Sequence, residues 1–455
     1  MTFRVSGALL LGAFSACGGT GSEIVDDLGL PANLVVRTGD VVAIDPELSG
    51  RLASNFEVEP DLPAGLTLDP DSGRISGVPV ARAATAAYRL RAEVGPVTVE
   101  DTIEIAVGNA LPSEVAELDS RFDAERLVVL PQPPGKMAVA PDGRIFLTEL
   151  MTGSIRILSP GTGLQAMPFA TLTVQSGGHQ GLLGLALSPD FETDSLVFAT
   201  AVVPAAGGQP VRTQLWRWRE DSGLGVDATL LLDDLPAAAI NNAGTLLFDS
   251  TGMLLLSIGD VEQPSLAQDP NSFAGKILRL DPNDGSAPSD NPDPTSLVFA
   301  SGFRNTFAMA QHPEAGSIYA ADNGPVSDDE LNLLQGGKNY EWGSNGEGFG
   351  ADTGPELRHW NDVVVPTGLA VRDDRGVPAW PFSGAGSLFL ALYDEEILER
   401  FEVSGSARTD IDSESVFLRF LVQGVANQPV DLQFGTEGEL LVLTTTAVFR
   451  IDAIR

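Results

Sequence analysis

Lysine and histidine are nearly absent from this chain: 455 residues contain three of each, and one cysteine, Cys17. A lone cysteine excludes a disulfide within one chain and any cysteine-based zinc cluster. The scarcity leaves Lys136, Lys276, Lys338, His179, His312 and His359 as the whole supply for lysine or histidine chemistry. Positive charge is short overall, with 27 Lys and Arg against 62 Asp and Glu, a formal net charge of −35. Such a surface repels nucleic acid and anionic lipid and favours solubility. Beyond the N-terminus no apolar stretch reaches the ~18 residues a membrane helix needs. Helical periodicity is almost missing as well.

What is present begins with an address. One positive charge in MTFR precedes the apolar run VSGALLLGAF, followed by FSAC and GGTGSE. A short apolar core ending in small residues reads as an export signal over 1–17, too short to span a bilayer. FSAC resembles the lipobox of bacterial lipoproteins, which implies lipidation at Cys17, with Phe14 where leucine is usual. A plain secretory signal with an incidental cysteine is the alternative. Either way the chain is expected outside the cytoplasm, held in the cell envelope by a lipid anchor or released. Residues 18–29 are small, polar and acidic, as a tether should be.

From 30 to 108, alternating runs such as YRLRAEV and DTIEIAVG are separated by turn-rich segments. Alternation with a period of two indicates strands with one buried face. LPAGLTLDPDSGRISGVPV (62–80) resembles the Ig-like or cadherin-like domains of exported bacterial proteins. A β-sandwich acting as a spacer is expected here, followed by a linker over 109–122.

Over 123–455 a pattern recurs: KMAVAPDGRIFLTE, LGLALSPDFETDSLVFATAV, TLLFDSTGMLLLSIGD, FAMAQHPEAGSIYAADNG, then an interrupted fifth copy and VDLQFGTEGELLVLTTT. Each is an apolar strand, a turn of Pro, Asp, Gly or Ser, and a second apolar strand; most are followed by a strand of alternating charge. A period of roughly 56 residues fits a four-stranded blade with long loops. The expected fold is all-β: a six-bladed β-propeller preceded by a small Ig-like sandwich. In a propeller the loops at one end converge on a central cavity, where sites sit.

One such loop, DNGPVSDDELN (322–332), crowds side-chain oxygens around a Gly-Pro pair. A solvated turn accounts for it, and so does an oxygen-lined cation site. Four segments in order, GGHQGLLGLALSPDF, AGKILRLDPNDGSAPSDNP, GFRNTFA and DNGPVSDDELNLLQGGKNYEW, resemble the soluble quinoprotein sugar dehydrogenases, the glucose/sorbosone dehydrogenase-like family that uses pyrroloquinoline quinone (PQQ) and calcium. The resemblance implies a calcium held by Gly324, Pro325 and Asp329, with Tyr340 at the matching downstream position. It also places Arg304 and Asn305 against the quinone.

The resemblance fails where the chemistry should be. The family's general base, a histidine, falls on Asn241, and a carboxamide cannot accept a proton near neutral pH. Asp260 matches the carboxylate that orients that histidine; read alone, it is a turn residue ending a strand. The family's cofactor-binding lysine falls on Tyr393 and its two late arginines on Gln428 and Val430, with Asp394, Glu395 and Glu396 adjacent. Losing up to three charge-assisted hydrogen bonds of roughly 1.5–3 kcal/mol each would cost several orders of magnitude in affinity for a trianionic quinone. His179, at the expected cavity rim, is a candidate displaced base, although a lone histidine is more often structural. His312 and His359 receive no role. Trp216 and Trp218 read as strand packing, while Trp360 and Trp380, in longer loops, are candidates for sugar stacking. Two readings follow: an aldose dehydrogenase with an altered site, or a non-catalytic calcium-stabilised propeller that binds glycan or a protein partner. A purely structural envelope protein draws only on the tether and the sandwich. Nothing points to nucleic acid.

Overall fold

The computed structural model describes residues 27–48, 51–343, 354–373, 375, 377, 380–382, 386–421 and 427–454. Cys17 lies outside them. Among the described residues two compact units emerge, one containing residues 27–111 with Asp119–Asp123, and the other Pro112–Leu118 with Ala124–Asp452.

The first unit carries two sheets. In one, Asn33–Arg37, Val97–Gly108, Ala83–Val94 and Ser54–Glu59 lie side by side; in the other, Val42–Ile44, Ile75–Gly77 and Leu66–Leu68. Their apolar residues, Phe56, Ile75, Leu90 and Ile103 among them, form one core. This is the expected sandwich, and the DPDSG turn closes as its residues dictate. Asp69 accepts hydrogen bonds from the backbone of Asp71 and Ser72 at 2.9 and 3.0 Å.

The second unit holds six described sheets of four or five strands. Their first strands are Pro134–Val139, Leu182–Leu187, Ala243–Phe248, Thr306–Gln311, Pro366–Val371 and Pro429–Phe434. Each neighbours the next, and the last neighbours the first, closing a ring. The sixth sheet takes its outer strand, Phe122–Val129, from the start of the unit. Val115–Leu118, inside the stretch read as a linker, adds a fifth strand to the fifth sheet. Adjacent sheets share cores because successive side chains leave a strand in opposite directions. Val197 packs with Phe146 and Ile157 of the first sheet, whereas Phe198 packs with Leu254 and Leu278 of the third. Burial on both faces explains why inner strands read as unbroken apolar runs.

The tryptophans serve this packing. Trp216 and Trp218 stack at 6.0 Å in the second sheet. Trp360 and Trp380 do not offer sugar platforms. Trp360 ends the strand Glu356–Trp360 and is buried against Phe401, while Trp380 is buried among Phe389, Phe417 and Phe434. His312 is also buried, its Nδ1 accepting from the backbone of Glu314 and Ala315.

Candidate functional site

The antiparallel register of the third sheet sets Ala243 opposite Ile258, so the residues before one strand meet those after the other. Asn241 and Asp260 are therefore neighbours. Asn241 Nδ2 donates to Asp260 Oδ1 at 2.9 Å, and both side chains are buried. Gly259 permits the approach, since a Cβ there would lie 2.0 Å from the Asn241 carbonyl oxygen. Asn241 adopts a left-handed φ of 57°, a region asparagine tolerates better than most residues. Asp260 is fully engaged: Oδ1 also accepts from Glu262 N at 3.0 Å, and Oδ2 from Trp342 Nε1 at 2.9 Å. By contrast, Asn241 Oδ1 is buried without a partner.

His179 belongs to the same cluster. Its Nδ1 accepts the backbone N–H of Asn241 at 3.3 Å. Burial, then the positive charge of Arg304, pull its pKa down, with Glu262 opposing. The neutral ring thus carries its proton on Nε2, a tautomer assigned from the hydrogen bond. The imidazole offers a donor, and its one free lone pair is already taken.

Arg304 and Asn305 are placed by Asp322, which accepts their backbone N–H groups at 2.8 Å each. The Arg304 guanidinium reaches the DNGPVSDDELN loop, where Nη1 donates to the carbonyls of Asn323 and Gly324 at 2.8 and 2.7 Å. It also lies 5.8 Å from the Trp342 ring. Gly324 is sterically required, because a Cβ would sit 1.9 Å from Ser327 O. Asn305 Oδ1 accepts from Ala243 N at 3.0 Å, tying the fourth sheet to the third.

The loop expected to hold a cation is built as follows. Asp329 accepts from Gly324 N at 2.7 Å and from Val364 and Val365 N at 2.7 and 2.8 Å. Its carboxylate organises the turn and holds the next segment to it. Tyr340 stacks on Phe303 at 4.6 Å, and its hydroxyl bonds Leu333 O and Gln335 N. The carboxylate that sequence reading missed is Glu330. It lines a cavity of about 10 Å³ with Arg304, Asp322, Gly324, Pro325, Asp328, Tyr340 and Trp342. Glu330 Oε1 and, nearby in sequence, Asn323 Oδ1 are buried without partners. Burial, reinforced by Asp322, Glu356 and Asp328, pushes the Glu330 carboxyl up to about 8, and burial pushes Asp322 up to about 6. A signal existed: two acids open the strand DELNLL, whose residues are all buried. Room for one water-sized body and the unpaired Glu330 Oε1 fit a hard cation, with the Arg304 guanidinium on the same wall opposing it. Among the described residues no three His, Cys, Asp or Glu side chains converge as metal ligands, so backbone carbonyls would complete the shell.

On the ring axis lies a larger cavity of about 340 Å³. Leu150, Leu183, Phe307, Val365 and Val430 supply apolar walls; His179, Asn305, Asn323 and Tyr393 supply polar atoms. Gln428 is not among its lining residues but meets one of them, Thr445, whose hydroxyl donates to Gln428 Oε1 at 3.5 Å. No described lysine or arginine lines the cavity, and every one between residues 27 and 454 is described. Lys136 lies near it, 5.1 Å from the centroid of Phe307, but is paired with Asp431 at 3.3 Å and donates to Thr367 O at 2.6 Å. Burial and the charges of Asp394 and Glu396 raise the Tyr393 phenol. The fit to a tricarboxylated quinone is therefore poor.

The chain matches the Glucose / Sorbosone dehydrogenase family over residues 131–448 and an Ig domain family over 31–108. It is 28% identical to aldose sugar dehydrogenase YliI of Escherichia coli K12 over 334 residues, 68% of this chain and 86% of that one. Quinoprotein glucose dehydrogenase B of Acinetobacter calcoaceticus is 29% identical over 274 residues, 53% of this chain and 57% of that one. The PQQ-bound aldose sugar dehydrogenase of Streptomyces coelicolor shares the fold, with a TM-score of 0.60 at 22% identity over 74% of this chain and all of that one. No helix among the described residues is long and apolar enough to cross a membrane.

Proposed function

Since the chain belongs to the glucose/sorbosone dehydrogenase family, we propose that it is an exported sugar dehydrogenase-like propeller that keeps the family's central pocket and cation loop but has lost standard PQQ-dependent aldose oxidation. The observation that carries this reading is the Asn241–Asp260 pair. Oxidation of an aldose requires removal of the hydroxyl proton as hydride leaves, and a base near neutral pKa suits that task. Here the position holds a carboxamide whose N–H is spent on Asp260. The carboxylate behind it is closed off by Glu262 and Trp342. His179 is no substitute, because the lone pair of its neutral ring faces Asn241 N.

Calcium fits better than the quinone. Glu330, the carbonyls around Gly324 and Pro325, and the main chain at Tyr340 would hold it, and its charge would stiffen the loop that Arg304 also grips. The first unit acts as a spacer beyond a tether, and Cys17 supplies a lipid anchor at the envelope. The pocket then serves to bind a sugar or glycan. Purified protein supplied with PQQ, calcium and a panel of aldoses should reduce an artificial dye no faster than protein-free controls. Sugar-dependent reduction above that background overturns the reading.

A further inference from the structure

Resting on that reading, we propose that the axial cavity takes an uncharged small molecule with one apolar face and hydroxyl donors along one edge, and that it rejects the trianionic quinone. The apolar face is met by Leu150, Leu183, Phe307 and Val365, whose coverage is stabilising in proportion to area. The hydroxyl edge is met by Asn323. Its side chain is only 7% exposed, and its Oδ1 has no partner, so a buried acceptor awaits a donor. His179 Nε2 supplies a complementary donor. The volume of about 340 Å³ lies within the range of small-molecule sites.

Charge decides against an anion. A carboxylate entering an apolar cavity gives up hydration and needs a paired cation in return. Asp431 neutralises Lys136. Arg304 lines the small cavity instead, its guanidinium shared between the carbonyls of Asn323 and Gly324. Beside Tyr393 stand Asp394, Glu395 and Glu396, in a chain of net charge −35. Three carboxylates would enter a cavity that no described lysine or arginine lines.

Two probes of the same shape separate charge from fit: PQQ and its uncharged trimethyl ester. Phenyl β-glucoside, uncharged with an aromatic face and hydroxyls, is the third. Binding to the full chain is followed by calorimetry and melting temperature, without turnover, so a failure here is distinct from a failure of the catalytic reading. The ester and the glucoside should bind and raise the melting temperature, with PQQ at least about tenfold weaker than its ester. Tyr393→Lys, at a half-buried position, and the double variant Y393K/V430R should shift the preference toward PQQ by about tenfold or more. If the double variant fails to fold, Y393K alone gives the test. The proposal is overturned by tighter binding of PQQ than of the ester in the wild type, by no binding of either uncharged probe, or by unchanged preference in Y393K.

Discussion

Asn241 and Asp260 meet at 2.9 Å with the amide donating and the carboxylate accepting, and the amide oxygen is left buried and unpaired. A histidine in that place would use one ring N–H for the same bond and keep a lone pair for a substrate proton. Asparagine preserves the structural half of the pair and deletes the chemical half.

Asn241→Ala should therefore damage the fold more than an average substitution. It leaves Asp260 Oδ1 short of a donor and puts alanine at a left-handed φ of 57°. A loss of about 2–4 kcal/mol is expected, since an unsatisfied buried group costs about 1–3 kcal/mol and the strained backbone about 1 more. Urea unfolding checks it; a loss below about 0.5 kcal/mol contradicts the assigned bond.

The second prediction concerns the axis. Lys136 donates to Thr367 O in the fifth sheet and to Asp431 in the sixth, and Asp431 Oδ2 accepts Met137 N at 2.9 Å. Lys136→Met strands a buried carboxylate and should cost about 3–5 kcal/mol. Adding Asp431→Asn should recover part of that cost, because the amide keeps an acceptor for Met137 N. Denaturant midpoints of the two singles and the double provide the coupling energy.

The architecture was legible because periodicity and turn chemistry are local. Strand, turn and strand recur as KMAVAPDGRIFLTE recurs, and ring closure follows from repetition. The meeting of Arg304 with the Gly324 carbonyl at 2.7 Å was legible only through a resemblance. Which acid faces the small cavity was not legible. Asp329 and Glu330 are adjacent in a strand and leave it on opposite sides, so a one-residue choice exchanges a turn-organising carboxylate for a cavity-facing one. Trp360 and Trp380 misled for a related reason: the interrupted fifth repeat hides an aromatic core that only tertiary packing reveals. Trp342 bonding to Asp260 joins residues 82 apart, and no local signal marks it.

The third prediction separates those acids. Calcium should raise the melting temperature of the wild type, and Glu330→Gln should abolish most of that increment. Asp329→Asn should lower the baseline stability by removing acceptor strength from three backbone N–H groups yet retain a calcium response. The reverse pattern returns the ligand role to Asp329.

A pH dependence follows from Glu399 in the fifth sheet. Its Oε2 is buried without a partner. Burial, with Glu414 and Glu395, pushes its carboxyl up to about 7, and Arg358 pulls the other way. A folded value above the unfolded one means its contribution to stability is complete below about pH 4.5 and is lost as pH rises through about 7. Glu399→Gln should accordingly match the wild type near pH 4.5 and exceed it by about 1–2 kcal/mol near pH 8, after allowance for partial solvent screening. Thermal unfolding across that range checks the sign.

The central claim is that no group at Asn241 accepts a proton. Anaerobic single-turnover absorbance tests it most directly, with PQQ and calcium added well above any binding constant and an aldose in excess. Weak cofactor affinity then cannot mask the chemistry. The account predicts that the quinone spectrum stays oxidised over the time in which an active relative completes its turnover. Reduction of the quinone at a rate proportional to protein concentration would contradict it.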